Sequence, residues 1–118
     1  MRKIYDVFAG GELLASPVYI ADSFGSRFCG LMLRRSLAPG EGLLLKKCPS
    51  IHCFFMRFTI DAVYLDRDMT VVGTETVKPW RVGGSFRGAR HVLEVAEGAA
   101  HLVRAGMKLE VKESASDE

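Results

Sequence analysis

Long hydrophobic runs are absent from this sequence: stretches such as Leu43-Leu44-Leu45 are interrupted by charge or glycine within a few residues. A membrane span needs about 20 consecutive apolar residues, so no membrane partner is expected. Export is not signalled either, because Met1-Arg2-Lys3-Ile4-Tyr5-Asp6 carries positive charge with no apolar core behind it. Cysteine is scarce. The three present, Cys29, Cys48 and Cys53, are odd in number and sit among apolar neighbours. Without an export signal they read as reduced thiols in a cytoplasm rather than as a disulfide framework. Charge of one sign is lacking too: 16 Lys and Arg against 14 Asp and Glu leave +2, which alone implies neither a nucleic-acid nor a membrane partner. Internal repeats and low-complexity linkers are also missing.

What is present fits one globular unit. The chain has 118 residues, 48% hydrophobic and 25% charged, the balance of an ordinary folded domain. A chain of this length buries roughly 60–70% of its unfolded surface, so it needs no metal or disulfide staple. The expected organisation is a single β-rich domain over residues 1–112, with a polar tail, 113–118, that frays.

Ile4 to Phe8 and Leu13 to Ile20 read as strands joined through Ala9-Gly10-Gly11, a hairpin signal. Ser23 offers an N-cap to a short helix in which Phe24, Phe28, Leu31 and Met32 share one face. Leu37-Ala38-Pro39-Gly40 ends it. Further strands are expected at Leu43–Leu45, Ile51–Thr59, Ile60–Leu65, Thr70–Val77, Val92–Val95 and Leu109–Val111. Asp66-Arg67-Asp68-Met69 turns a second hairpin, residues 78–90 are irregular, and Gly98–Arg104 suggests a second, two-turn helix. The expected class is mainly β (α+β): a compact, partly closed, β-barrel-like sheet with two short helices.

Three segments carry a resemblance. Arg27-Phe28-Cys29-Gly30-Leu31-Met32-Leu33-Arg34, Ser50 through Asp61 with its Phe54-Phe55-Met56-Arg57 centre, and Ala89-Arg90-His91-Val92-Leu93-Glu94-Val95 occur in that order. Together they are similar to the signatures of the domain-of-unknown-function family number 192, and Lys78-Pro79-Trp80-Arg81 matches one branch of it. The resemblance implies a compact β-rich domain with short helices, and no accepted reaction, ligand or catalytic residue. This chain departs from the pattern at Met69, where relatives turn the hairpin with glycine, and at Gly106-Met107, where they tend to carry Gly-Asp.

Several residues bear chemistry. Cys48, His52 and Cys53 are of zinc-binding type. On a strand, however, His52 and Cys53 point to opposite faces, and Cys48 lies ~13 Å from His52 along an extended chain, so neither a metal nor any other cofactor is expected. Cys48 with His52 as base, oriented by Asp61 or Glu94, is the enzymatic alternative: a Cys/His- or metal-dependent hydrolase-like activity. Asp61 and Glu94 interrupt apolar strands. They serve either as a shared polar pocket or as ion-paired or hydrogen-bonded structural groups. Residues 78–91 hold Lys78, Arg81, Arg87, Arg90 and His91 with Trp80 and Phe86 and no acid, a pattern suited to a weakly held single-stranded nucleic acid or another anion. The leading expectation is a monomeric or weakly self-associating binding module for a small or anionic ligand. Its shallow cleft would be formed by Met32, Phe55, Arg57, Asp61 and Glu94 and bordered by Trp80 and Arg81.

Overall fold

A computed structural model of the chain describes residues 3–21, 37–48 and 58–114. Seven strands form one sheet: β1 (Tyr5–Ala9), β2 (Glu12–Ala21), β3 (Gly42–Leu45), β4 (Ile60–Leu65), β5 (Val71–Val77), β6 (His91–Ala96) and β7 (Leu109–Glu113). Their spatial order is β5-β4-β6-β3-β2-β1-β7. β2 and β3 run parallel, whereas the other neighbours are antiparallel.

The turns follow from backbone sterics. Gly10 and Gly11 take φ of +60° and +84° between the paired Ala9 and Glu12, a two-residue hairpin loop that needs positive φ at both positions. The β4–β5 turn puts Met69 at φ +66°. That is the left-handed conformation for which glycine is the usual residue, so the hairpin forms here with methionine. Asp66 supports it: one carboxylate oxygen, Oδ1, accepts from the amides of Asp68 and Thr70 at 2.8 and 2.9 Å.

The sheet curls until its two edges meet at one corner. Thr70 bridges Lys108, the Val71 amide donates to the Met107 carbonyl at 2.7 Å, and the Gly106 amide donates to Val71 at 2.8 Å. Beyond this corner β5 and β7 stay apart, so the form is a half-barrel. Alternation along each strand then feeds two cores. Val63, Leu65, Leu93, Val95, Leu44, Val18 and Val7 pack inside the curl with Ala100, Val103 and Leu109. Ile60, Ala62, Tyr64, Val77, Val92 and Leu45 pack on the outer face. Both faces of central β4 are buried along its whole length, which is why its sequence reads as a continuous apolar run.

No helix occurs among the described residues. The helix expected to start at Ser23 and most of the strand expected at Ile51–Thr59 lie outside them. The two-turn helix expected at Gly98–Arg104 is instead a series of tight turns, with Ala99 bonded to Ala96, His101 to Gly98 and Val103 to Ala100. The Val103 amide, which an α-helix would pair with the Ala99 carbonyl, bonds Ala100 instead. Asp61 accepts the amides of Gly98 and Ala100, and the Arg104 guanidinium donates to the carbonyls of His101 and Val103.

Candidate functional site

Asp61 and Glu94 lie on neighbouring strands but not on one face. β4 and β6 pair Asp61 with Val95 and Ala62 with Glu94, and cross-strand partners share a face. Asp61 therefore belongs to the inner side with Val63 and Val95, and Glu94 to the outer side with Ala62. With the sheet between them, no single concavity holds both carboxyls.

Asp61 is buried and fully engaged. Its Oδ1 accepts from the Thr76 hydroxyl at 2.9 Å, and its Oδ2 accepts the amides of Gly98 and Ala100 at 2.9 and 3.2 Å. It ties the turns after β6 to the hairpin of β4 and β5, as expected of a structural carboxylate satisfied by backbone donors. Above it opens a groove of about 340 Å³ lined by Thr74, Glu75, Thr76, Glu97, His101 and Arg104. Its charges are mixed in sign, and the Arg104 guanidinium is already bonded to carbonyls.

Glu94 is in a different state. It is 4% exposed and lies between Leu43 and Ala62 on the flanking strands. Burial pushes its carboxyl up to about 8, so it is mostly protonated at neutral pH. In the same cross-strand row, one strand beyond Ala62, stands Glu75. The Glu75 Oε2 accepts from the Tyr64 hydroxyl and from the Gly84 amide, both at 2.6 Å. Nothing in the sequence around Glu75 marked it; its role arises because the Lys78–Arg90 loop folds back over the sheet.

That loop is pinned rather than free. Phe86 lies over Gly73 and stacks on Tyr64, ring centroids 4.4 Å apart. The Arg90 amide donates to Leu65, and the Cys48 amide to the Arg90 carbonyl. Lys78, Arg81, Arg87 and Arg90 are all exposed. The salt bridge found among the described residues joins Lys3 to Glu113 at 4.0 Å, away from this loop. Trp80 takes φ +66° and is 57% exposed. Met32, Phe55 and Arg57 of the expected cleft lie outside the described residues, as do His52 and Cys53. The pairing of Cys48 with His52 is thus not described, and among the described residues no three His, Cys, Asp or Glu converge as metal ligands.

One cluster joins Arg90 and His91 of the basic stretch to Lys46 and Lys47, which the sequence reading did not mark. His91 heads β6, and its Nδ1 accepts the Lys47 amide at 2.9 Å. Burial, then Lys46, Arg90 and Lys47, hold the imidazole below its ordinary value, while Asp66 pulls the other way. The doublet Lys46-Lys47 was the available signal. Its proximity to Arg90-His91 depends on the antiparallel pairing of β3 with β6.

The chain matches the model of family DUF192, described as "Uncharacterized ACR", over residues 6–111. A UPF0127 protein of Pyrococcus abyssi is 37% identical over 100 residues, 80% of each chain. One from Thermococcus kodakarensis is 35% identical over 107 residues, 87% of this chain and 64% of that one. Among solved structures, a protein of unknown function from Novosphingobium aromaticivorans superposes with a TM-score of 0.78 at 19% identity, covering 91% of this chain and 83% of that one. A putative transcription regulator from Sinorhizobium meliloti gives 0.75 at 21%, covering 94% of each. At those identities the two structures establish a shared fold. The family match and the archaeal relatives go further: this chain is a member of the DUF192 family, whose relatives here are UPF0127 proteins.

Proposed function

We propose that this domain is a cytoplasmic binding module for small or anionic ligands, and that the loop from Lys78 to Arg90 is the surface that meets them. One observation carries this reading: Lys78, Arg81, Arg87 and Arg90 are exposed and form no ion pair among the described residues, on a loop that the sheet clamps. Clamping favours binding, because a surface ordered beforehand loses less entropy when a ligand arrives. A reducing compartment suits the Cys48 thiol, which is in no disulfide.

The exposed indole of Trp80 beside Arg81 favours a second reading, in which the anion is a single-stranded nucleic acid whose bases stack on the ring. In either case binding is sequence-tolerant and steeply salt-dependent, since exposed charges are screened over ~8 Å at physiological ionic strength.

The test is retention on an anionic matrix and on a single-stranded oligonucleotide across a salt gradient. Replacing Arg81 and Arg87 with glutamate should abolish retention while shifting stability by no more than about 0.5 kcal/mol. Elution of the double variant at the wild-type salt concentration would remove this loop as the binding surface.

A further inference from the structure

The end of the half-barrel where β3, β4 and β6 meet gathers positive charge that, among the described residues, only Asp66 opposes. Three backbone contacts assemble it. The Lys47 amide donates to His91 Nδ1 at 2.9 Å, the Cys48 amide to the Arg90 carbonyl at 2.9 Å, and the Arg90 amide to the Leu65 carbonyl at 2.7 Å. The registers agree: Leu45 pairs with Val92 and Leu65 with His91, so the residues just beyond, Lys46-Lys47, Arg90 and Asp66, surround the imidazole. Among the described residues, Lys46, Lys47 and Arg90 form no salt bridge. Among the described residues, Asp66 is the one acid whose charge reaches the ring. Its Oδ1 already accepts two backbone amides. Three cations thus face one carboxylate that is engaged in its own turn.

The imidazole is oriented by the same contacts. With Nδ1 accepting from Lys47, the neutral ring carries its proton on Nε2. That tautomer is fixed by the fold.

We infer that this end of the half-barrel is a seat for a phosphate group, bound by Lys46, Lys47 and Arg90 beside the His91 imidazole. Phosphate matches the charge and the donors: it is close to doubly charged near neutral pH and presents three acceptor oxygens to separate cations. A monocarboxylate brings one charge and two oxygens to the same donors. The seat shares only Arg90 with the Lys78–Arg90 loop.

Titration of the ¹⁵N-labelled full chain with inorganic phosphate, at constant ionic strength, tests it. The amide resonances of Lys47 and His91 should move saturably, and acetate or chloride should leave them in place. The double variant Lys46→Gln, Arg90→Gln should weaken phosphate binding at least roughly tenfold. Its unaltered residues should keep their wild-type spectrum, because both replaced charges lie outside the two cores. Lys108→Gln, an exposed position outside both the seat and the Lys78–Arg90 loop, should leave phosphate affinity unchanged. A phosphomonoester such as phosphoserine, run in parallel, separates an organic phosphate from the free ion, and tighter binding of either supports the seat. No saturable shift with phosphate, an equal response to chloride, or wild-type affinity in the Lys46/Arg90 variant overturns it. Binding of an oligonucleotide without binding of phosphate also overturns the seat, and leaves the loop reading standing.

Discussion

Replacing Gly73 with alanine is the sharpest perturbation this architecture offers. A Cβ built at Gly73 would lie 2.3 Å from both Cδ1 and Cε1 of Phe86 and 3.1 Å from its Cγ. Ordinary carbon contacts start near 3.5 Å, so the ring must retreat by roughly 1.2 Å or more. The retreat breaks the Tyr64–Phe86 stack, now at 4.4 Å and 29°. Overpacking of this kind costs about 1–3 kcal/mol, and loss of an aromatic pair adds about 0.5–1.5 kcal/mol. Against this, alanine in a strand is favoured over glycine by about 0.5–1 kcal/mol. Gly73→Ala should therefore destabilise the protein by about 1–3 kcal/mol in urea unfolding. In a Phe86→Ala background the obstacle is gone, and the same change should stabilise by about 0.5–1 kcal/mol. The sign should invert. Trp80, the one tryptophan in the chain, reports the loop directly, and its emission should change in Gly73→Ala. An equal cost of Gly73→Ala in both backgrounds would refute the claim that Phe86 against Gly73 pins the loop.

Glu94 is raised in the fold from 4.5 to about 8, so the native state binds more protons than the unfolded chain across that window. Its contribution is complete below pH 4.5 and is lost at about 1.4 kcal/mol per pH unit up to about 8. Glu94→Gln, which cannot ionise, should flatten that fall and unfold at higher urea than wild type at pH 8. A parallel pH dependence in the two proteins would mean that Glu94 is solvated. His91 works in the opposite sense: its native value lies below 6.5, so its contribution is complete above 6.5 and is lost as the pH falls through that value. An NMR titration of the ring should give an apparent midpoint below 6.5 in the native state, whereas a midpoint at or above it would contradict the burial. Asp61→Asn leaves the amides of Gly98 and Ala100 facing a poorer acceptor and should cost about 1–3 kcal/mol, with faster hydrogen exchange at those two amides. Unchanged exchange there would show that the carboxylate is not what holds the turns.

The sequence by itself determined most of the sheet. All seven described strands lie within one or two residues of their expected bounds, because period-2 patterning and glycine or aspartate turns are local properties. The family is legible for a related reason: its signatures are short and contiguous. The helix expected at Gly98–Arg104 is a run of three-residue turns instead, and what anchors them is Asp61, 37 residues away in the sequence for Gly98 and 39 for Ala100. Asp61 and Glu94 looked alike, each a carboxylate in an apolar strand, yet only the β4–β6 register decides which side of the sheet each occupies. One becomes a hydrogen-bonded tie and the other a buried acid. Lys46-Lys47, likewise, is an unremarkable doublet with no visible link to Arg90-His91 until β3 and β6 pair across 44 residues of separation and set the Lys47 amide on the His91 ring. Faces, partners and charge clusters are relations between strands distant in sequence, and the tertiary fold is what fixes them.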